Sequence, residues 1–316
     1  ENYKWNISHH SWNVDPASNK EFNNIYCENI IFQDVITPRE IRLKENTFTL
    51  EGLTLLGSLG IEGVKYHWKK NNLAVESLAF NRGLKEKCDG ENVDKISAYT
   101  ASISHGCQLS SFGKACKFCE TGNLEYKGIL TADDIALQNI FMAEYDSNCP
   151  SFPQVRANLR EFAYMGQGEP GFNYPTVRQA IRLTDAAMKA INQSVNRHII
   201  STCGIIDFIP NLIDDIKHNI FINRVTLHFS LHCIDQDRNI LMPINEDYNY
   251  ADFIKSCYKL HEVSQEKIGI GILMFNAYQF EKGGTKFTLD CDKLDIILTK
   301  LDKNIGGFNL QVQHPQ

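Results

Sequence analysis

Three cysteines in the segment HGCQLSSFGKACKFCETG, residues 105–122, carry the densest chemistry in the chain: Cys107, Cys116 and Cys119. Thiolates grouped in one loop have two common uses. With a fourth ligand they hold zinc in a tetrahedron, and His105 stands close enough in sequence to supply it. With three protein ligands they hold a 4Fe-4S cluster whose fourth iron stays open to another molecule. Unligated thiols are a third reading. A redox role for the pair Cys116 and Cys119 fits less well, because thioredoxin-type motifs open a helix directly after a strand.

Other polar groups recur further along the chain. MGQGEPGFN (165–173) has glycines that let backbone approach a ligand, and Glu169 sets a carboxylate among them. STCG (201–204) and FSLHC (229–233) follow. A polar turn cap accounts for any one of these alone. Together with the cysteine loop they suggest one site for a polar, amine-bearing small molecule. Two further thiols, Cys203 and Cys233, lie in these segments. Cys257 and Cys291 fall on apolar helix stripes and read as core, whereas Cys27, Cys88 and Cys149 carry no signal.

The pattern that must position these groups alternates strand and helix from about residue 97. ISAYTASIS (96–104), LREFAYM (159–165), HIIST (198–202), RVTLHFSLH (224–232), IGIGILMF (268–275) and GFNLQV (307–312) read as six apolar strands. Between them, Thr131 opens a helix with Asp134 closing a capping box, and Pro175 starts another. Val177, Ala180, Ile181, Ala187 and Met188 follow helical spacing, as do Phe208, Leu212, Ile213 and Ile216, then Phe253, Ile254, Cys257 and Leu260, then Leu294, Ile297, Leu298 and Leu301. Such βα units imply an α/β fold with a parallel sheet covered by helices. Six strands cannot close an eight-stranded barrel, so an open partial barrel or a doubly wound sheet remains. Both put chemistry at the C-terminal strand ends, which is where every polar segment above falls. Residues 1–90 read as a small N-terminal accessory module, with strand candidates at 46–56 and 73–80, and 91–316 as the core.

Of 316 residues, 38 are acidic and 32 basic, giving a net charge of −6. That balance argues against coating nucleic acid through bulk charge, though a local basic groove stays possible. No apolar stretch is long enough for a bilayer, and no signal segment is visible at the start. Ten cysteines in a chain this long read as reduced thiols of a cytoplasmic protein with no membrane association.

The order FCETG, MGQGEPGFNY, STCGII and SLHCIDQDRNILMPIN resembles the radical S-adenosylmethionine (SAM) superfamily, most closely its ribosomal RNA adenine methyltransferases of the RlmN/Cfr type. The likeness covers roughly residues 96–316. It implies a partial (β/α)6 barrel in which Cys107, Cys116 and Cys119 bind a 4Fe-4S cluster. The open iron would chelate the amino and carboxylate groups of SAM. Gly168 and Glu169 would contact the methionine moiety, and Ser201, Ser230 and His232 the rest. A carboxylate suits the SAM ammonium group, and strand-end hydroxyls suit its ribose. An external electron donor of the flavodoxin or ferredoxin type would drive SAM cleavage to a 5′-deoxyadenosyl radical, which abstracts hydrogen from substrate.

Two departures bear on the reaction. Where the family has three residues between its first two ligands, eight separate Cys107 from Cys116. The family also uses two further cysteines. The place of the first, seven residues before the first ligand, is Thr100, and the chain ends at Gln316 ahead of the second, the methyl carrier. A family glutamate in a V-E-T-type strand corresponds to Glu76 in AVESLAF. These departures favour a radical SAM enzyme that modifies a peptide, as in L-to-D epimerisation, with Cys233 or Cys203 donating a hydrogen atom. RNA adenine methylation is the alternative, with Lys114, Lys117 and Lys127 near phosphate. A zinc-stabilised binding module without turnover is the third reading.

Overall fold

Six strands run parallel and lie side by side in the order in which the chain makes them. They are β4 (Asp94–Ala101), β5 (Leu159–Tyr164), β6 (Val195–Thr202), β7 (Val225–Ser230), β8 (Ile268–Met274) and β9 (Gly306–Val312). Every adjacent pair in this set is parallel. The computed structural model describes residues 49–56, 63–85, 94–148, 159–274 and 306–312, some short stretches beside them, and side chains chiefly within 65–79, 97–144 and 159–273.

Strand order decides between the two architectures left open by the sequence. A doubly wound sheet reverses direction at a switch point. Here the order never reverses, and the two edge strands do not pair with each other. The sheet is therefore wound one way and left open, as in a partial barrel. Three antiparallel strands, β1 (Thr49–Leu56), β2 (Gly63–Lys70) and β3 (Leu73–Lys85), extend it past β4. The strands on either side of the boundary expected at residue 90 pair with each other in one sheet.

Alternation along each strand sorts side chains onto two faces. One face carries Tyr99, Phe162 and His198 stacked at ring distances of 5.3 and 5.5 Å. Helices α2 (Ala132–Asn148) and α3 (Tyr174–Ala190) reach this face: Asn139 donates to Tyr164, and Asp185 lies 2.7 Å from His198. The β2–β3 hairpin joins the same layer through Trp68, which meets Phe141 of α2 edge-on at 5.3 Å. Thr100, Ser201 and His228 lie on the opposite, inner face. Gly269 and Gly271 keep that face open, since a Cβ there would sit 3.0 and 2.7 Å from the His228 ring.

The helix signals in the sequence hold. Thr131 and Asp134 exchange both capping-box hydrogen bonds, at 2.9 and 3.2 Å. Val177, Ala180, Ile181, Ala187 and Met188 are all buried on α3. Leu212 on α4 (Ile209–Lys217) and Phe253, Cys257 and Leu260 on α6 (Tyr250–Ser264) complete the cover. The helix expected at 294–301 falls largely outside the described residues, as do Cys27, Cys88, Cys149 and Cys291.

Candidate active site

The cysteine loop begins where β4 ends. Gly106 turns the chain at φ +71°, and a Cβ there would lie 2.6 Å from the Glu125 carbonyl oxygen. Cys107 follows as the N-cap of the short helix α1 (Gln108–Ser111). Gly113, at φ +68°, stops this helix in a Schellman motif: its N–H donates to the Ser110 carbonyl, and that of Lys114 to Leu109. The long spacing between Cys107 and Cys116 is thus taken up by one closed helical turn. Cys119 N–H donates to the Cys116 carbonyl at 3.2 Å, and Lys117 N–H to Leu241 at 2.9 Å.

The three thiols are near enough to feel one another. Burial, with Glu169 and Cys119 adding to it, pushes the Cys107 thiol up to about 12. Burial also raises the Cys116 thiol, helped by Cys119 and Cys107 and opposed by the cation Arg238. Among the described residues no three His, Cys, Asp or Glu side chains are grouped so as to hold a metal ion. His105, the fourth ligand of the zinc reading, instead hydrogen-bonds the backbone of Ala74 and lies near Lys70 and Asp134. With His105 engaged by Ala74, three thiols remain without a fourth ligand, a donor set that suits a cluster open at one iron better than a closed zinc tetrahedron.

The second strand end is held by the first. Gln167 N–H donates to Ser102 Oγ at 2.8 Å, and the Gln167 carbonyl accepts from Ile103 and Ser104. Gly168 lies at φ +97°, and a Cβ there would lie 2.2 Å from Ser104 Oγ. Glu169 comes next and is buried. Its Oε1 accepts from Gly171 N–H and its Oε2 from Cys203 N–H, both at 2.8 Å. Gln108 of the cysteine loop brackets the Glu169 backbone, accepting from its N–H at 2.9 Å and donating to its carbonyl at 3.4 Å. Burial raises the carboxyl's pKa, while Thr202, Cys203 and Gly171 oppose the shift by hydrogen bonding.

On the third and fourth strand ends, Ser201 Oγ lies 3.0 Å from His228 Nδ1. Ser230 is half-buried, and its carbonyl accepts from Arg238. His232 sits at φ +58° and meets Phe118, between Cys116 and Cys119, edge-on at 4.7 Å. Its Nδ1 is buried without a hydrogen-bond partner. Burial, then Arg238 and His228, hold its pKa well below the usual imidazole value, so the ring is neutral.

The structure therefore joins Cys107, Cys116, Cys119, Gly168, Glu169 and His232 through Gln108 and Phe118, with Ser201 and Ser230 on the adjoining strand ends. It treats the other candidates differently. The Cys203 thiol hydrogen-bonds Glu169. Cys233, a hydrogen-atom donor in the peptide reading, is 2% exposed and lies in the core cluster, directly after the left-handed His232. Glu76 lies on β3 with Lys65 Nζ at 2.9 Å and His67 Nδ1 at 3.5 Å, and its carbonyl accepts from Ser102. Thr100 is buried and donates to the Leu78 carbonyl at 3.2 Å. Lys114 pairs with Glu246 and Lys127 with Glu125. Gln108, Phe118 and Arg238 were not singled out from the sequence. Only Arg238 carried a usable signal, as a cation inside a segment otherwise read as lining the site.

A one-way parallel sheet with a three-cysteine loop after its first strand has the layout of a radical SAM protein. A radical SAM methyltransferase from Sphaerobacter thermophilus shares this fold, with a TM-score of 0.64 and 19% identity over 85% of this chain and 68% of that one. In sequence the chain is similar to proteins named RlmN. It is 27% identical over 216 residues to a probable dual-specificity RNA methyltransferase RlmN of Fervidobacterium nodosum, covering 68% of this chain and 53% of that protein. It is 31% identical over 172 residues to the corresponding protein of Heliobacterium modesticaldum, covering 54% and 40%. The chain thus spans about half the length of the curated relatives it matches. No family model matches it.

Proposed function

We propose that this protein is a radical SAM enzyme that acts on RNA. The observation that carries the reading is the convergence of the cysteine loop on Glu169 and His232 through Gln108 and Phe118, in a chain whose relatives are named RNA methyltransferases. Cys107, Cys116 and Cys119 would hold a 4Fe-4S cluster, which when bound supplies the electron for SAM cleavage. Glu169 would accept the SAM ammonium group. Two backbone N–H groups aim its carboxylate, and the ammonium would take an acceptor site that the Thr202 hydroxyl or the Cys203 thiol occupies here. Neutral His232 can give or take a hydrogen bond without carrying charge into the site. Glu169 and His232 are buried, which limits the water around them.

The peptide reading needs a thiol that faces substrate. Cys203 is engaged with Glu169 and Cys233 is enclosed, so the RNA reading has the better support. Thr100 bears on the route. A hydroxyl cannot resolve an adduct by disulfide formation, so any methyl transfer here would not use that place.

The test is anaerobic reconstitution with iron and sulfide, followed by SAM, a reductant, and either ribosomal RNA fragments or peptides. RNA should stimulate deoxyadenosine formation and show a mass change in its digested nucleosides. Stimulation by peptides alone would return the reading to peptide modification. Replacing Cys107, Cys116 and Cys119 together by Ala should abolish iron uptake.

A further inference from the structure

Arg238, on α5 (Asp235–Leu241), is fully buried, at 0% exposure. Its guanidinium donates to the carbonyls of Cys203, Ser230 and Leu231 and to Asn245 Oδ1, the last at 3.0 Å. It also lies over the Phe229 ring, 5.0 Å from the centroid. All these partners are neutral, and among the described residues no carboxylate pairs with it. A buried charge left without a counter-charge is costly, and such groups are ordinarily paired.

The surroundings indicate where the counter-charge belongs. The bonds to Cys203, Ser230 and Leu231 place the cation directly behind the third and fourth strand ends. Its own helix is tied to the cysteine loop, because Lys117 N–H donates to Leu241 at 2.9 Å. Arg238 also acts electrostatically on Cys116, Cys203 and Cys233. Three thiolates on a 4Fe-4S core make an anion, and reduction adds another negative charge.

We propose that Arg238 is a positioning residue whose buried positive charge offsets the charge of a cluster held by Cys107, Cys116 and Cys119, raising its reduction potential, while its guanidinium fork locks the ends of β6 and β7 together. The inference rests on the cluster reading above. A neutral residue there would leave the reduced cluster less stabilised, so electrons would enter less readily. Lysine would keep the charge but lose most of the fork.

The experiment is an EPR-monitored redox titration of the reconstituted protein, with thermal melting of the same samples. Arg238→Met should lower the reduction equilibrium about tenfold, a shift of about 59 mV to more negative potential for one electron. Arg238→Lys should hold the potential near that of the unaltered protein while melting lower. If Arg238→Met does not fold, Asn245→Asp serves instead. It keeps the arginine but sets an anion against Nε, and should shift the potential in the same negative direction. An unchanged potential in the variant that folds, with iron content intact, overturns the inference and leaves the cluster reading standing. Failure of the unaltered protein to take up iron removes the cluster reading, and the inference with it.

Discussion

The Glu169 carboxylate accepts the backbone N–H of Cys203 at 2.8 Å, so one side chain fastens the second strand end to the third. Its other oxygen caps its own turn through Gly171. The group that would receive the SAM ammonium is thereby fixed before any ligand arrives. Glu169→Gln keeps the size but turns an NH2 toward one of those N–H groups. A charge-assisted hydrogen bond is worth roughly 1.5–3 kcal/mol, so SAM should bind about 10- to 150-fold more weakly. Calorimetric titration with SAM checks this, and an unchanged affinity removes Glu169 from the ligand site.

Two glycines should respond differently to the same change. At Gly113 a Cβ meets nothing within 4 Å, so Gly113→Ala bears only the left-handed backbone, about 1–2 kcal/mol. At Gly168 the backbone is at φ +97° and the Cβ would lie 2.2 Å from Ser104 Oγ, whose own bond to the Gly106 carbonyl fixes the start of the cysteine loop. Gly168→Ala should therefore cost clearly more and also impair iron uptake, whereas Gly113→Ala should leave uptake intact. Urea denaturation with iron analysis separates the two, and equal losses would contradict this account of the loop.

The sequence exposed the six strands and the helix starts because each rests on local chemistry: apolar runs, the Thr131–Asp134 box, Pro175. It exposed Cys107, Cys116, Cys119 and Glu169 because their types are uncommon at strand ends. It concealed what depends on contact between distant segments. Gln108 looks like loop filler until it is seen bracketing Glu169. Cys233 looks like a strand-end thiol until its burial in the core is seen. The continuity of β1–β3 with the core sheet was hidden as well, since antiparallel pairing leaves no mark that tells one sheet from two.

The covered face of the sheet holds a second polar cluster, on the side away from Ser201 and His228. Asp185 accepts from Asn223 and lies 2.7 Å from His198, which in turn meets Tyr164 at 3.1 Å. Burial works to raise the Asp185 carboxyl, but His198 and Asn223 outweigh it and the pKa ends below its ordinary value. A depressed carboxylate contributes stability above its unfolded pKa and loses it as pH falls through the lower folded one. The protein should therefore lose stability below about pH 4, and Asp185→Asn should show a flatter profile there. Asp185→Ala should cost about 3–5 kcal/mol by leaving its partners unsatisfied. Melting temperature against pH checks both; parallel curves for Asp185→Asn and the unaltered protein would exclude this contribution.

The His232 ring is buried and unpaired at Nδ1, burial holds its pKa well below the usual imidazole value, and its backbone is left-handed. Asparagine tolerates that backbone better than most residues, so His232→Asn should preserve the turn and remove the imidazole. One neutral hydrogen bond is worth about 0.5–1.5 kcal/mol, so SAM affinity should fall about 2- to 10-fold with little change in melting temperature. The pH profile gives a second check. A pKa held well below the ordinary value of about 6.5 keeps the ring neutral from roughly pH 6 to 8, so SAM affinity should be level across that range. A break near the ordinary imidazole pKa, absent in His232→Asn, would mean that the ring gains a proton in the site and that burial does not set its charge.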